Sequence, residues 1–292
     1  MRDPEAPEGS SLMENIALTD SDYDLIAKLV YKHSRIHLGD GKRDLVSSRL
    51  GKRLRALGCS SYAEYCGVLT RSGSDEELAH LIDAISTNHT FFFREQQHFD
   101  FLERMVLKEF HSDRAFRRDG CLRCWSAAAS TGEEPYSIAL KLAAHAEKNE
   151  GFRWEMDCSD ISRPALEMAR AGVYPAARLQ EVPLGLRQRF FQKGIGAQSG
   201  RYRVKAEIRS KMFWHQMNLF QDTYPFHKKF HLIFCRNVMI YFDRPSQESL
   251  VERMSKLLVP GGYLKIGHSE SLAGLKTSLV QVRTAIYKKP VM

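Results

Sequence analysis

At 292 residues, with 43% hydrophobic content, the chain is long enough for two packed domains. No apolar run approaches the length of a membrane span and the polar stretch Met1–Ser11 lacks a signal-peptide core, so membrane insertion and secretion are excluded and the cytoplasm is the expected compartment. A net charge of +8 and a pI near 9.1 invite an acidic partner, nucleic acid or protein alike, while six scattered cysteines imply neither a disulfide framework nor a zinc site.

Residues 1–18 are expected to be disordered, and Thr19-Asp20-Ser21-Asp22 then offers a cap to a helix carrying Tyr23, Ile26, Ala27 and Val30. A second helix is predicted from Asp40 to Leu57, with Val46, Leu50, Leu54 and Leu57 on one face and Gly58 ending it. Beside that apolar stripe Lys42, Arg49, Lys52 and Arg53 fall within a sector of about 100°. Between Lys28 and Arg55 nine Lys/Arg stand against two Asp/Glu, although residues 1–90 as a whole carry eleven against fourteen. Most charge runs are solvated faces, but a one-signed cluster inside an acidic region marks a candidate docking surface. Helical patterns at Tyr62–Leu69 and Glu76–Ile85 complete an all-helical domain, residues 1–86.

Next comes STNHTFFFREQQHF, Ser86–Phe99, too crowded with polar and aromatic residues for a plain linker, then a helix through Phe110. A short β-capable run, Leu122–Trp125, leads into SAAASTGEEPYS, Ser126–Ser137, and a helix over Ile138–Ala146. Strand, tight turn and helix is nucleotide-site geometry, yet Gly132 is the turn's sole glycine and a pyrophosphate would lack its close backbone approach. The small residues Ala127–Thr131 admit a ligand, and Glu133 and Glu134 repel phosphate, so the site suits a positively charged ligand such as S-adenosylmethionine. The plain alternative is an ordinary turn with acids favoured by the helix dipole. Cys121 and Cys124, three apart on a strand, point to opposite faces.

Apolar strands at Trp154–Cys158, His231–Cys235 and Tyr263–Gly267 alternate with helices at Arg163–Ala171 and Ser246–Leu258, the pattern of an α/β sheet. Asp160 follows the first of these strands, where such sheets place a ribose acceptor; otherwise it caps the next helix, a task Ser162 before Pro164 could also perform. Arg236, Asn237 and Tyr241 cluster after the second, with loop capping and packing as their structural alternatives. His268 reads equally as structural or catalytic. An insert, Ala176–Lys211, holds Gly194, Gly196 and Gly200 before an alternating Tyr202-Arg203-Val204 and reads as antiparallel, a passive hairpin being the simplest case.

Together STNHTFFFREQQHF, WSAAASTGEEPYSIAL, SDIS, FCRNVMIYFD and PGGYLKIGHSES, in this order, resemble the chemotaxis receptor glutamate methyltransferases. The resemblance implies an all-helical N-terminal domain and a doubly wound Rossmann-like methyltransferase domain, residues 87–292, with a small antiparallel β insert near 176–211 and no appended repeat domain. It implies that Asn88, Thr90, Arg94, Glu134, Asp160, Asn218, Leu219, Arg236 and Asn237 contact S-adenosylmethionine, and that Arg94 and Tyr241 flank the transferred methyl. The partners implied are cytoplasmic domains of methyl-accepting receptors, docked by Lys42, Arg49, Lys52 and Arg53. The insert would hold a receptor's C-terminal tail peptide, through Lys193, Gly194, Gly196, Gly200 and Arg203. Where Lys193 stands the family pattern puts Arg, and Lys lacks its bidentate geometry. A monomer is expected, with no metal and no nucleic acid. Two rival readings stand beside this one. A nucleic-acid methyltransferase would explain the charge, but Arg236-Asn237-Val238-Met239 is not the Asn-Pro-Pro-aromatic pattern of amino-methylating enzymes, and no aromatic stacking platform accompanies the basic helix. A non-catalytic cofactor-sensing adaptor fits the same motifs.

Overall fold

The computed structural model describes residues 16–117 and 120–291, so the disorder expected for residues 1–18 lies, up to residue 15, outside the described residues. Two compact units form, one from the residues up to His33 with Leu38–Ile85, the other from Ser34–His37 with Ser86 onward.

The first unit holds α1 (Asp20–Ser34), a 3-10 turn (Asp40–Lys42) running into α2 (Arg43–Leu57), α3 (Tyr62–Leu69) and α4 (Asp75–Ile85). Local chemistry sets its boundaries. The Thr19 hydroxyl accepts from the Asp22 N–H (3.2 Å) and donates to the Asp22 carboxylate (2.6 Å), capping α1. Gly58, at φ +68, closes α2 in the left-handed conformation that costs glycine least. Val46, Leu50 and Leu54 of α2 are fully buried, as their spacing requires. The basic stripe beside them divides. Lys42 and Lys52 are exposed, whereas the Arg49 guanidinium donates to the Ile85 carbonyl and Arg53 forks onto Glu77 of α4, with Nε 2.7 Å from Oε1. The Tyr65 hydroxyl donates to the same carboxylate at 2.9 Å. Two of the four residues assigned to docking thus hold helices together.

In the second unit α5 (Gln97–Phe101) continues through a π-helical stretch, Leu102–Val106, into α6 (Leu107–Ser112) and α7 (Arg114–Arg117). There follow β1 (Cys121–Ala127), α8 (Glu133–Ala146), β2 (Arg153–Asp160), α9 (Arg163–Ala171), β3 (Val173–Pro175), α10 (Leu184–Phe190), β4 (Phe191–Lys193), β5 (Arg201–Val204), α11 (Ala206–Arg209), β6 (Met212–Gln216), β7 (Phe230–Cys235), α12 (Arg244–Leu257), β8 (Leu258–Lys265), β9 (Val280–Arg283) and β10 (Ile286–Lys288). Among the described residues the main sheet has seven strands in the order β6-β2-β1-β7-β8-β10-β9. Its first five strands are parallel and β10 runs antiparallel between β8 and β9. Leu122 and Cys124 of β1 face one core and Trp125 and Ala127 the other, so both sheet faces are covered, as a doubly wound fold requires. A separate three-stranded antiparallel sheet, β3-β5-β4, takes its first strand from Val173–Pro175, upstream of Ala176.

Glu77 is the acceptor that Arg53 and Tyr65 share inside the helical unit. Glu77→Ala is expected to destabilise that unit by about 2 kcal/mol, since a part-buried guanidinium and a buried hydroxyl lose their partner. Urea unfolding measures it, and a loss below about 0.5 kcal/mol would mean that water replaces the carboxylate.

Candidate functional site

Parallel strands end on one side of the sheet, and the polar residues of the motifs gather there. Arg236, directly after β7, is the centre. Its side chain is 1% exposed, and Nη1 lies 2.9 Å from the Glu134 carboxylate while Nη2 lies 2.9 Å from that of Glu95 and donates to the Arg94 carbonyl (2.6 Å). Glu134 also accepts from the Ser126 hydroxyl at 2.8 Å. Burial pushes the Glu134 carboxyl up, with Arg236 and Ser126 drawing it back. Burial works the same way on Glu95, but the His98 hydrogen bond and the Arg236 charge outweigh it and hold that carboxyl well below the usual range.

Asp160, at the end of β2, accepts from the Ser130 N–H (2.7 Å) and the Ser162 N–H (2.9 Å), while the Ser162 hydroxyl itself caps α9. The carboxylate therefore fixes the β1–α8 turn. Ala128 and Ser130 in that turn have φ of +61° and +50°, a strained path for residues with a Cβ. Asn88 reaches the Ser130 hydroxyl at 3.5 Å. Arg94 spreads its guanidinium over the Phe91 ring (5.6 Å) and donates to the His89 carbonyl (3.2 Å). Arg94, Glu134, Arg236 and Asn237 thus meet in one bonded network through Glu95, whose carboxylate is 3.5 Å from the Asn237 amide, and Asn88 and Asp160 meet at Ser130 in another. Thr90 is held elsewhere: its carbonyl accepts from Arg178 (3.4 Å), the partner of Glu133. Asn218 caps its own loop through the Phe220 N–H (2.9 Å), and Leu219 is packed in the core.

One reading needs correction. Glu133 does not share the site with Glu134: it is fully buried, 3.0 Å from Arg178, and accepts from the Thr131 hydroxyl. On α8 successive residues point about 100° apart, which turns the two acids to different surroundings. Of the insert's glycines, Gly194 is required by its own turn, whereas a Cβ on Gly196 or Gly200 would meet open space. A Cβ on Gly194 would lie 2.1 Å from the Gln198 carbonyl oxygen, and Gly196 and Gly200 have positive φ. Lys193 on β4 and Arg203 on β5 are exposed.

Sequence reading passed over Glu270. Buried after β8, it accepts N–H groups from Gly267 (2.6 Å), Asn237 (3.0 Å), Met239 (2.8 Å) and Ile240 (3.3 Å). One carboxylate thus anchors the loop that carries Asn237, at φ +58°, and the 3-10 turn Met239–Tyr241. A Cβ on Gly267 would strike the Asn237 amide at 2.5 Å, so glycine is required at that contact. The Tyr241 carbonyl accepts from the His37 N–H at 2.8 Å, and Ile36 bridges to Phe242. The sequence signal was an acid three residues beyond a glycine at a strand's end.

The all-alpha domain of the CheR methyltransferases matches residues 21–86, and the CheR methyltransferase SAM-binding domain matches residues 88–288. The chain belongs to the CheR methyltransferase family. It is 41% identical to a chemotaxis protein methyltransferase of Salmonella typhimurium, covering 90% of this chain and 88% of that protein. A chemotaxis protein methyltransferase of Borreliella burgdorferi is 38% identical, with 94% and 96% covered. Membership agrees with the charge at the centre: two carboxylates face one guanidinium, and Asp160 adds a third acid nearby, an excess that suits a cationic ligand with ribose hydroxyls. A resident metal suits it poorly. Glu95, His98 and His268 bring donor atoms within 4.8 Å of one another, but Arg236 occupies the Glu95 carboxylate and would repel a second cation. No helix among the described residues is long and apolar enough to cross a membrane.

Glu270→Gln puts an N–H where N–H groups point, and is expected to lower thermal stability and loosen the Asn237–Tyr241 loop, seen as faster amide exchange there than in β1. Exchange unchanged in that loop would show that it holds without Glu270. Burial pushes the His98 imidazole down to about 4, the Glu95 hydrogen bond only partly offsetting it. The unfolded chain then binds the extra proton first, so this contribution is intact above pH 6.5 and is lost as pH falls toward 4. The loss is about 2 kcal/mol by pH 5. His98→Gln is expected to remove that share of the difference between urea unfolding at pH 7 and pH 5; an unchanged difference places the titration elsewhere.

Proposed function

We propose that this protein transfers a methyl group from S-adenosylmethionine to glutamate side-chain carboxylates of chemotaxis receptors, forming methyl esters and S-adenosylhomocysteine in the cytoplasm. The observation that carries the reading is the Arg236 centre with Glu134 and Asp160 at the strand ends of a CheR-family chain. When bound, the cofactor supplies a methyl carbon on a positively charged sulfur. Glu134 would hold its ammonium and Asp160 its ribose hydroxyls, with Asn88, Thr90, Asn218, Leu219, Arg236 and Asn237 as the surrounding wall. A receptor glutamate, with an ordinary pKa of about 4.3, is already ionised at neutral pH, so no general base is needed. Catalysis is then positioning: oxygen and carbon held in line and away from water can lower the barrier by several kcal/mol.

Arg94 and Tyr241 are assigned to the receptor carboxylate. Arg94 already rests on Phe91 and the His89 carbonyl, contacts that limit how tightly it can neutralise the nucleophile. Lys42 and Lys52, exposed on the helical unit, are the cations free to meet an acidic receptor face, with Arg49 and Arg53 supporting that surface from within. A tail peptide would add as a strand to the three-stranded sheet by main-chain hydrogen bonds, Lys193 and Arg203 pairing with its acids, and would raise the local receptor concentration.

Incubation with methyl-labelled S-adenosylmethionine and receptor-bearing membranes is expected to give base-labile label on receptor. Tyr241→Phe and Arg94→Ala should lower turnover by about tenfold or more with a smaller loss of S-adenosylhomocysteine affinity. Asp160→Ala should weaken that affinity by about tenfold. Label on nucleic acid, or cofactor binding with no label transferred, would decide for one of the two rival readings.

A further inference from the structure

Outside this centre a pocket of about 420 Å³ lies between the α5–α6 helical run and the β9–β10 hairpin, within the ordinary range for small-molecule sites. Three departures from regular structure meet around it. The helical run is π-helical over Leu102–Val106, which supplies Arg104 and Met105 to the pocket. Ala285, in the hairpin turn, has φ +58°, and β10 shifts register between Ile286 and Tyr287. π-turns and bulges re-aim side chains and concentrate at binding sites, and each costs regular hydrogen bonding.

The side chains so aimed share a chemistry. Arg104 and Arg283, both exposed, line the pocket, against one acid, Asp100, which already accepts from the Gln96 amide at 3.1 Å. The apolar lining is Phe101, Met105 (47% exposed) and Ile286. Guanidinium groups bind phosphate and carboxylate with two parallel hydrogen bonds, and the half-buried Phe101 offers apolar surface beside them.

We propose that this pocket binds an organic anion, its phosphate or carboxylate held by Arg104 and Arg283 and its apolar or aromatic body resting on Phe101, Met105 and Ile286. His98 and His268, which also line it, stack at 4.8 Å and lie 3.1 and 3.9 Å from Glu95, the carboxylate that holds Arg236. An occupant therefore bears on the Arg236 centre, a coupling that rests on the cofactor reading given above.

Phenyl phosphate and benzoate are the probes, with inorganic phosphate as reference, each titrated calorimetrically into the full chain. One aromatic probe is expected to bind saturably and at least about tenfold tighter than inorganic phosphate, and the tighter one identifies the headgroup. Arg104→Gln and Arg283→Gln should each weaken it about tenfold. Met105→Trp, which fills the pocket and leaves its charges alone, should abolish binding, so the test survives a misfolded arginine variant. Absence of saturable binding, or equal binding by all three variants, overturns the site. Saturating probe should shift S-adenosylhomocysteine affinity by about fivefold, and no shift overturns the coupling. If S-adenosylhomocysteine fails to bind while the probe binds, the cofactor reading falls and the anion site stands.

Discussion

A buried guanidinium cannot stand alone: removed from water, it costs several kcal/mol unless opposite charge and hydrogen-bond acceptors surround it. Arg236 meets that requirement with Glu134 from the first turn of α8, Glu95 from the loop before α5, and the Arg94 carbonyl. These partners come from two separate stretches of sequence, so pairing the two terminal nitrogens of Arg236 fixes the relative positions of the β1–α8 turn, the Ser86–Gln96 loop and the end of β7. The pair with Glu134 is worth little as stability, since a buried ion pair roughly offsets its own desolvation. Its effect is geometric, and the surplus carboxylate leaves the centre negative.

A second carboxylate does for the backbone what Arg236 does for charge. Four N–H groups converge on Glu270, and the loop they belong to includes a non-glycine residue at positive φ. Such a conformation costs of order 1–3 kcal/mol and persists where the surroundings over-determine it. Gly267 is part of the same constraint, because its missing Cβ lets the Asn237 amide approach. The turn after β8 also joins the two anchors: its His268 N–H donates to Glu95 at 3.2 Å. Asn237 and the turn that ends at Tyr241 are therefore held by Glu270 and Glu95.

Lys265 shows the same economy inside the core. A lysine with no carboxylate beside it is normally excluded from a sheet interior, and burial pushes this ammonium well down. It lies over the Phe101 and Phe234 rings and donates to the His98 carbonyl, bonding β8 to the helix that follows the Ser86–Gln96 loop. Arg53, forked onto Glu77, shows that a one-signed stripe read along a helix mixes solvated charges with structural ones, because the stripe's edge borders the packed face.

Sequence by itself determined the fold class and the longer elements. α3 and α9 fall on the residues predicted, since both begin at serine caps and carry strong periodicity. The strands after which Ser126, Asp160 and Arg236 stand were legible as short apolar runs, and the rule that parallel sheets bind at strand ends placed the pocket. The short strands β6, β9 and β10 were not foreseen, because three to five residues carry too little pattern to separate strand from loop. Tertiary structure alone decided what depends on residues far apart in the chain: that Glu133 and Glu134 part company, and that Arg49 and Arg53 are occupied. Glu95, His98 and Glu270 acquired roles only when folding brought β7 and β8 beside the Ser86–Gln96 loop. A local pattern reports which way a side chain faces, whereas a partner more than a hundred residues away leaves no mark on it.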